Sequence, residues 1–257
     1  MKWMVVVAAM SAASWASAQH AGDIYLAQSG GRIATGATVG GVSTLGERVF
    51  ISELGTAFPN FADSPGFDTL PGAFPANTNI GFRLRAALRE WSGSAFDVIP
   101  EERMEVAFGP LGPVLTPASD QVVEGFTIRV GSNGQWHRHL EYTLGNPAEP
   151  GVYLVEMELF SSVPGIADSE PFWIVFNQGR GGAEVSAAAE WVRDNLASCR
   201  ADFDGDGFVD FFDFDAFAGC FEGGTCPDGR TADFDGDGFV DFFDFDAFVA
   251  AFEQGCP

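Results

Sequence analysis

One stretch of this chain constrains the rest more than any other. Residues 201–217 read ADFDGDGFVDFFDFDAF, and residues 232–248 repeat them without a change, 31 positions further on. An exact internal copy of 17 residues marks a duplicated supersecondary unit whose copies bury their apolar faces against each other. Each copy opens with carboxylates on alternate residues. Asp202, Asp204 and Asp206 fall at positions one, three and five of a twelve-residue loop, with Gly207 at six, Phe208 at seven, Asp210 at nine and Asp213 at twelve. The second copy sets Asp233, Asp235, Asp237, Gly238, Phe239, Asp241 and Asp244 at the same positions. As such a loop curls, alternate side chains converge on one centre. Glycine at six allows the sharp turn, the carbonyl at seven adds an oxygen, position nine acts through water, and position twelve can bind through both its oxygens. About six to eight hard oxygens around a point is what calcium requires, so two calcium ions are expected.

After each loop the phenylalanines follow a helical period. Phe214, Phe217 and Phe221, and again Phe245, Phe248 and Phe252, fall at i, i+3 and i+7 and predict two helices packed through one face each. The loops are of the EF-hand type, yet position twelve is Asp rather than the usual Glu, and only one helix follows each loop. In both respects residues 199–257 resemble dockerins, the calcium-folded assembly modules of secreted bacterial proteins. With Gly255-Cys256 close to the end, they look most like the cysteine-bearing dockerin-like C-termini of planctomycete secreted proteins. The resemblance implies a cohesin-like or cell-surface partner. It also implies that loop positions ten and eleven, Phe211 with Phe212 and Phe242 with Phe243, face that partner. One member of each pair is expected to serve the core as well. Residues 199–257 hold 15 acids against two arginines, so without cations the loops repel themselves and folding should depend on binding.

The whole chain carries a net charge of −23, which argues against nucleic acid and anionic membrane surfaces as partners. Residues 1–18 read as a secretory signal peptide: Lys2, the apolar run Met4–Met10 and the small-residue site Ala16-Ser17-Ala18, leaving Gln19 as the new N-terminus. No later stretch is long and apolar enough to span a bilayer, so a secreted, cell-surface or periplasmic location is expected. Export implies an oxidising compartment. Cys199, Cys220, Cys226 and Cys256 then read as two disulfides, since the spacing lacks the paired C-x-x-C knuckles of a zinc site. Three pairings are open. Cys220–Cys226, closing a short turn, with Cys199–Cys256, tying the module's ends, is favoured.

Residues 19–181 carry β signals: Asp23–Ala27, Arg32–Thr35, Arg48–Leu54, Ile80–Leu88, Arg103–Phe108, Val122–Val130, His137–Thr143, Gly151–Phe160 and Phe172–Phe176. The expected fold is mostly β, a β-sandwich or jelly roll, followed by a helix/linker over 182–198 and the small all-α domain over 199–257. Residues 58–75 form a long Pro/Gly/Phe loop, a candidate lid. The three histidines are His20, His137 and His139. Strand alternation points His137 and His139 to one face, and His20 just precedes the first strand, so the three are candidate zinc ligands, with Asp23 or Glu53 to complete the shell. The ordered landmarks His20-Ala21-Gly22-Asp23-Ile24, Glu53-Leu54-Gly55, Pro65-Gly66-Phe67-Asp68, Trp136–Leu140 and Pro171–Asn177 resemble a family of exported bacterial proteins repressed by the zinc-uptake regulator and normally ending in a PEP-CTERM sorting tail. That resemblance implies a role in zinc scarcity. The alternative is a polysaccharide-binding or polysaccharide-degrading module displayed through the tail. No nucleophile elbow, H-E-x-x-H, P-loop or dinucleotide fingerprint is present, which favours a binding protein over an enzyme.

Overall fold

The computed structural model describes residues 22–205, 209–227, 230–236 and 238–254. The expected signal segment, His20, Asp206, Phe208, Asp237 and Cys256 lie outside the described residues. Within them fourteen strands follow in chain order: β1 (Ile24–Ser29), β2 (Arg32–Val39), β3 (Val42–Leu45), β4 (Val49–Glu53), β5 (Phe61–Ala62), β6 (Phe67–Thr69), β7 (Asn79–Leu84), β8 (Arg89–Glu90), β9 (Met104–Phe108), β10 (Leu111–Leu115), β11 (Val123–Arg129), β12 (Glu141–Leu144), β13 (Gly151–Ser161) and β14 (Phe172–Gln178). Helices α1 (Gly182–Val192), α2 (Phe211–Phe221) and α3 (Phe242–Gln254) complete the chain.

The chain is mostly β. The strands form two four-stranded sheets, in the orders β3-β2-β1-β6 and β10-β9-β12-β5, and a six-stranded sheet β11-β7-β13-β14-β4 with β8 paired onto β13. Two pairings are parallel, β1 with β6 and β4 with β14, which hairpin signals alone do not anticipate. Strand alternation sorts the apolar residues into two cores. Tyr153, Val155, Met157, Phe172, Ile174 and Phe176 face one way and share a core with Ile24, Leu26 and Ile33 of the first sheet and Met104, Val106 and Tyr142 of the second. Val152, Leu154, Trp173 and Val175 face the other way, where Val185, Ala188, Ala189 and Val192 of α1 cover them. The result is a helix laid on a six-stranded sheet that faces two smaller sheets. Burial on both faces explains why β14 reads as an unbroken apolar run.

Two local expectations change. The strand expected over His137–Thr143 begins only at Glu141, because the chain here passes from one sheet to another. Arg138 makes an isolated bridge to Phe67 beside β6, and pairing with β9 starts at Glu141. The loop over 58–75 is not an open lid. It contains β5 and β6, and Phe67 and Phe74 are buried in the main core, while Phe58 at its start is exposed.

At the C-terminal end α2 and α3 pack through the expected phenylalanines. The Phe217 and Phe248 rings stack at 4.0 Å and 10°, and both are fully buried. Phe203 and Phe234, at loop position two of each copy, close the same core edge-on: Phe203 meets Phe217 at 5.2 Å and Phe234 meets Phe248 at 5.4 Å. Cys220 and Cys226 are joined, as expected. Cys199 is also disulfide-bonded, while Cys256, its expected partner, lies outside the described residues.

Candidate metal centres

The two acidic loops form matching clusters. In the first, Asp202, Asp204 and Asp213 each bring one carboxylate oxygen within 4.8 Å of the others. In the second, Asp233, Asp235 and Asp244 do the same. Local hydrogen bonds shape both. Asp202 Oδ1 accepts the Gly205 N–H at 2.9 Å, and Asp233 Oδ1 accepts the Gly236 N–H at 3.0 Å. The position-twelve carboxylates reach back into the loops. Asp213 accepts the Asp204 N–H at 3.0 Å and the Asp210 N–H at 2.8 Å, one on each oxygen. Asp244 accepts the N–H groups of Phe234, Asp235 and Asp241 at 2.6, 3.0 and 2.7 Å. Burial alone would raise the Asp244 carboxyl, but these backbone donors, with its own N–H, hold it below the ordinary carboxylate value. Gly238, at position six, has φ +91°, the left-handed turn the spacing requires.

Position nine has a second role. Asp210 Oδ1 accepts the Phe212 N–H at 2.8 Å as the N-cap of α2, and with Asp213 it forms a reciprocal capping box. Asp241 Oδ1 does likewise for Phe243 at 2.8 Å. Neither belongs to the three-carboxylate clusters. Phe211, Phe212, Phe242 and Phe243 are all about two-thirds exposed or more, at 71%, 66%, 67% and 68%. None is in the core, contrary to the expectation of one from each pair. Phe211 stacks on Phe214 at 6.5 Å, but its far side faces solvent, because the helix starts there and the core ends at Phe214. Phe239 and Val240 are exposed beside them in the chain.

A different centre is built across three neighbouring stretches of the β region. β6 lies between β1 and the extended segment carrying the histidine pair. Ile24 pairs with Phe67 in parallel, and Phe67 is bridged to Arg138 antiparallel. Ile24 N–H donates to Gly66 O at 2.8 Å, Phe67 N–H to Arg138 O at 2.7 Å, and Arg138 N–H to Phe67 O at 2.9 Å. This register sets Asp23, Gly66 and His139 at one level. One step along the same face it sets Asp68 level with His137.

The geometry there is specific. Gly66 gives the side chains either side of it room to meet, since a Cβ at that position would lie 2.6–2.8 Å from the His139 ring. Asp23, only 6% exposed, accepts the Gly66 N–H at 3.0 Å through Oδ1. Its Oδ2 lies 3.6 Å from His139 Nε2 and has no hydrogen-bond partner among the described residues. His139 Nδ1 is 2.7 Å from the Asp63 carbonyl oxygen. A carbonyl only accepts, so Nδ1 carries the proton and the neutral ring presents a lone pair at Nε2. His137 Nδ1 is 3.1 Å from Oδ1 of Asp68, a carboxylate 5% exposed that also accepts the Thr69 N–H at 2.9 Å. The histidine rings stand 5.2 Å apart. Asp23, His137 and His139 each offer a ligating atom within 4.8 Å of the other two.

Of the residues expected here, His137 and His139 thus share a face with Asp23. Glu53 is elsewhere, its Oε2 accepting from Asn177 Nδ2 at 2.8 Å. Gly66 and Asp68 were not foreseen as part of the site. Their only sequence signal is the Pro65-Gly66-Phe67-Asp68 landmark, and nothing in it says which strand lies beside it. Among the described residues no helix is long and apolar enough to cross a membrane. No family model, curated protein or solved structure matches this chain.

Proposed function

We propose that this is an exported calcium-binding protein. Its C-terminal repeat acts as a dockerin-like module that attaches or assembles through a cohesin-like or cell-surface partner, and its β region carries a transition-metal site, with zinc the ion of choice. The observation that carries the reading is the matched convergence of Asp202, Asp204 and Asp213 and of Asp233, Asp235 and Asp244 from an exact sequence repeat. Two identical all-oxygen clusters at EF-hand spacing suit calcium rather than a softer ion. Four exposed phenylalanines at equivalent places in the two copies support a docking role, since exposed aromatic patches mark interaction surfaces. The histidine-bearing centre supports the zinc assignment, because nitrogen donors mixed with one carboxylate suit a borderline ion.

Calorimetry on residues 19–257 tests the calcium reading. Two calcium ions should bind, with Asp202→Ala removing one site and Asp233→Ala the other. A chain that takes up no calcium, or whose uptake ignores both substitutions, rules it out.

A further inference from the structure

We infer that Asp23 is the anionic ligand of a mononuclear site for a divalent transition ion, bound through Asp23 Oδ2 and the Nε2 atoms of His137 and His139, with Asp68 and the Asp63 carbonyl as positioning groups. The inference rests on reading the His137/His139 face as a transition-metal site, and it assigns that site its charge, its ligating atoms and its supports.

Four observations converge. First, Asp23 Oδ2 belongs to a residue 6% exposed and has no hydrogen-bond partner among the described residues. A buried carboxylate oxygen left unsatisfied is costly, and a cation bound there removes the cost. Second, His139 Nε2 lies 3.6 Å from it. The Asp63 carbonyl, 2.7 Å from Nδ1, holds the proton on the other side of the ring. Oxygen and nitrogen lone pairs therefore face each other, which is unfavourable until a proton or a metal ion sits between them. Third, His137 has the same arrangement, with Asp68 at 3.1 Å from Nδ1. A carboxylate or carbonyl behind each imidazole is the usual means of fixing the tautomer and aim of a metal-bound histidine. Fourth, Gly66 clears the space between the ligands that any side chain would fill.

Donor chemistry narrows the ion. Two imidazoles and one carboxylate suit zinc, cobalt, iron or nickel and leave calcium and magnesium poorly served. The His137 and His139 side chains are 35% and 34% exposed while Asp23 is buried, so the histidine side of the site is reached by solvent. The site is anchored entirely in the β region, beside β1 and β6, and includes no residue of the acidic loops.

Cobalt(II) is the probe, added to residues 19–257 with calcium saturating the C-terminal loops, and followed by visible absorption and calorimetry. One cobalt ion should bind, with ligand-field bands in the visible. Asp23→Asn, nearly isosteric, should weaken binding at least about 100-fold with the far-ultraviolet circular dichroism unchanged. Asp68→Asn should weaken it about 10–100-fold and shift the bands, the mark of a turned His137 ring. Gly66→Ala should weaken it by pushing His139 aside. Asp23→Asn binding like the parent, while the joint His137→Ala/His139→Ala variant does not bind, overturns the Asp23 assignment and leaves the metal reading intact. Failure of the parent protein to take up cobalt removes the metal reading itself.

Discussion

Asp213 shows how one side chain joins loop, helix and ion. One oxygen accepts the Asp204 N–H, the other the Asp210 N–H that begins α2, so neutral backbone donors tie the loop to the helix. Those donors do not neutralise the charge gathered by Asp202, Asp204 and Asp213, which is what a cation bound there would do. Asp213→Asn keeps the size, removes the charge and retains one of the two acceptors, so calcium affinity of the first loop should fall at least about tenfold while α2, still capped by Asp210, persists. Asp213→Ala also removes its half of the capping box, leaving the Asp210 N-cap, and should cost about 1 kcal/mol of stability beyond that. Calorimetric titration beside a thermal melt separates the two effects. At the same scale, Tyr142 is fully buried with no hydrogen-bond partner for its hydroxyl among the described residues, and burial pushes its phenol upward. Burial, reinforced by Glu102, Glu90 and Glu149, does the same to Tyr153. A raised folded value means both rings contribute stability below the ordinary phenol value of about 10 and lose it as pH rises beyond. Absorbance at alkaline pH should therefore show these two tyrosines ionising together with loss of the β-sheet signal, not before it.

At the scale of elements, α2 and α3 meet through aromatic rings rather than aliphatic ridges. Phe217 touches Phe203, Phe221, Phe234, Phe245 and Phe248, so it joins both copies of the repeat. Phe217→Ala leaves a large void in a small core and should cost about 3–5 kcal/mol, enough to unfold so small a module even with calcium present. Phe212→Ala, at an exposed position, should leave the melting temperature unchanged within about 0.5 kcal/mol. Equal losses from both would mean that the exposed pair supports the fold. Helical period identified Phe214, Phe217 and Phe221 from the sequence. It did not identify Phe203 and Phe234, which precede the helix of their own copy and are buried because the loop curls them back onto it. In the β region the long strands were legible from their apolar runs, whereas β5, β6 and β8, at two or three residues each, carry too few positions for alternation to register.

Over the whole molecule, metal dependence should divide along the chain. The acidic loops gather three carboxylates around each of two points, while the β region has two apolar cores, one between the sheets and one under α1. Adding a chelator to the full chain should abolish the helical signal of α2 and α3 and leave the sheet signal in place. In a thermal scan, calcium should move one transition and not the other. A single transition that shifts as a whole would show that the two regions unfold as one.

The sequence by itself determined what is local. Twelve consecutive residues hold the carboxylates, glycines and cap of each acidic loop, so spacing alone predicts that Asp202, Asp204 and Asp213, and their counterparts in the second copy, converge. Alternation likewise put His137 and His139 on one face, and this survived even though the segment is extended chain with one bridge rather than a regular strand. Tertiary structure alone decided what stands opposite them. Asp23, Gly66 and Asp68 come from two stretches more than 40 residues apart, brought into register with the histidines by a parallel β1–β6 pairing and a single antiparallel bridge. Pairings between distant strands depend on how the whole core closes, and no local period encodes them.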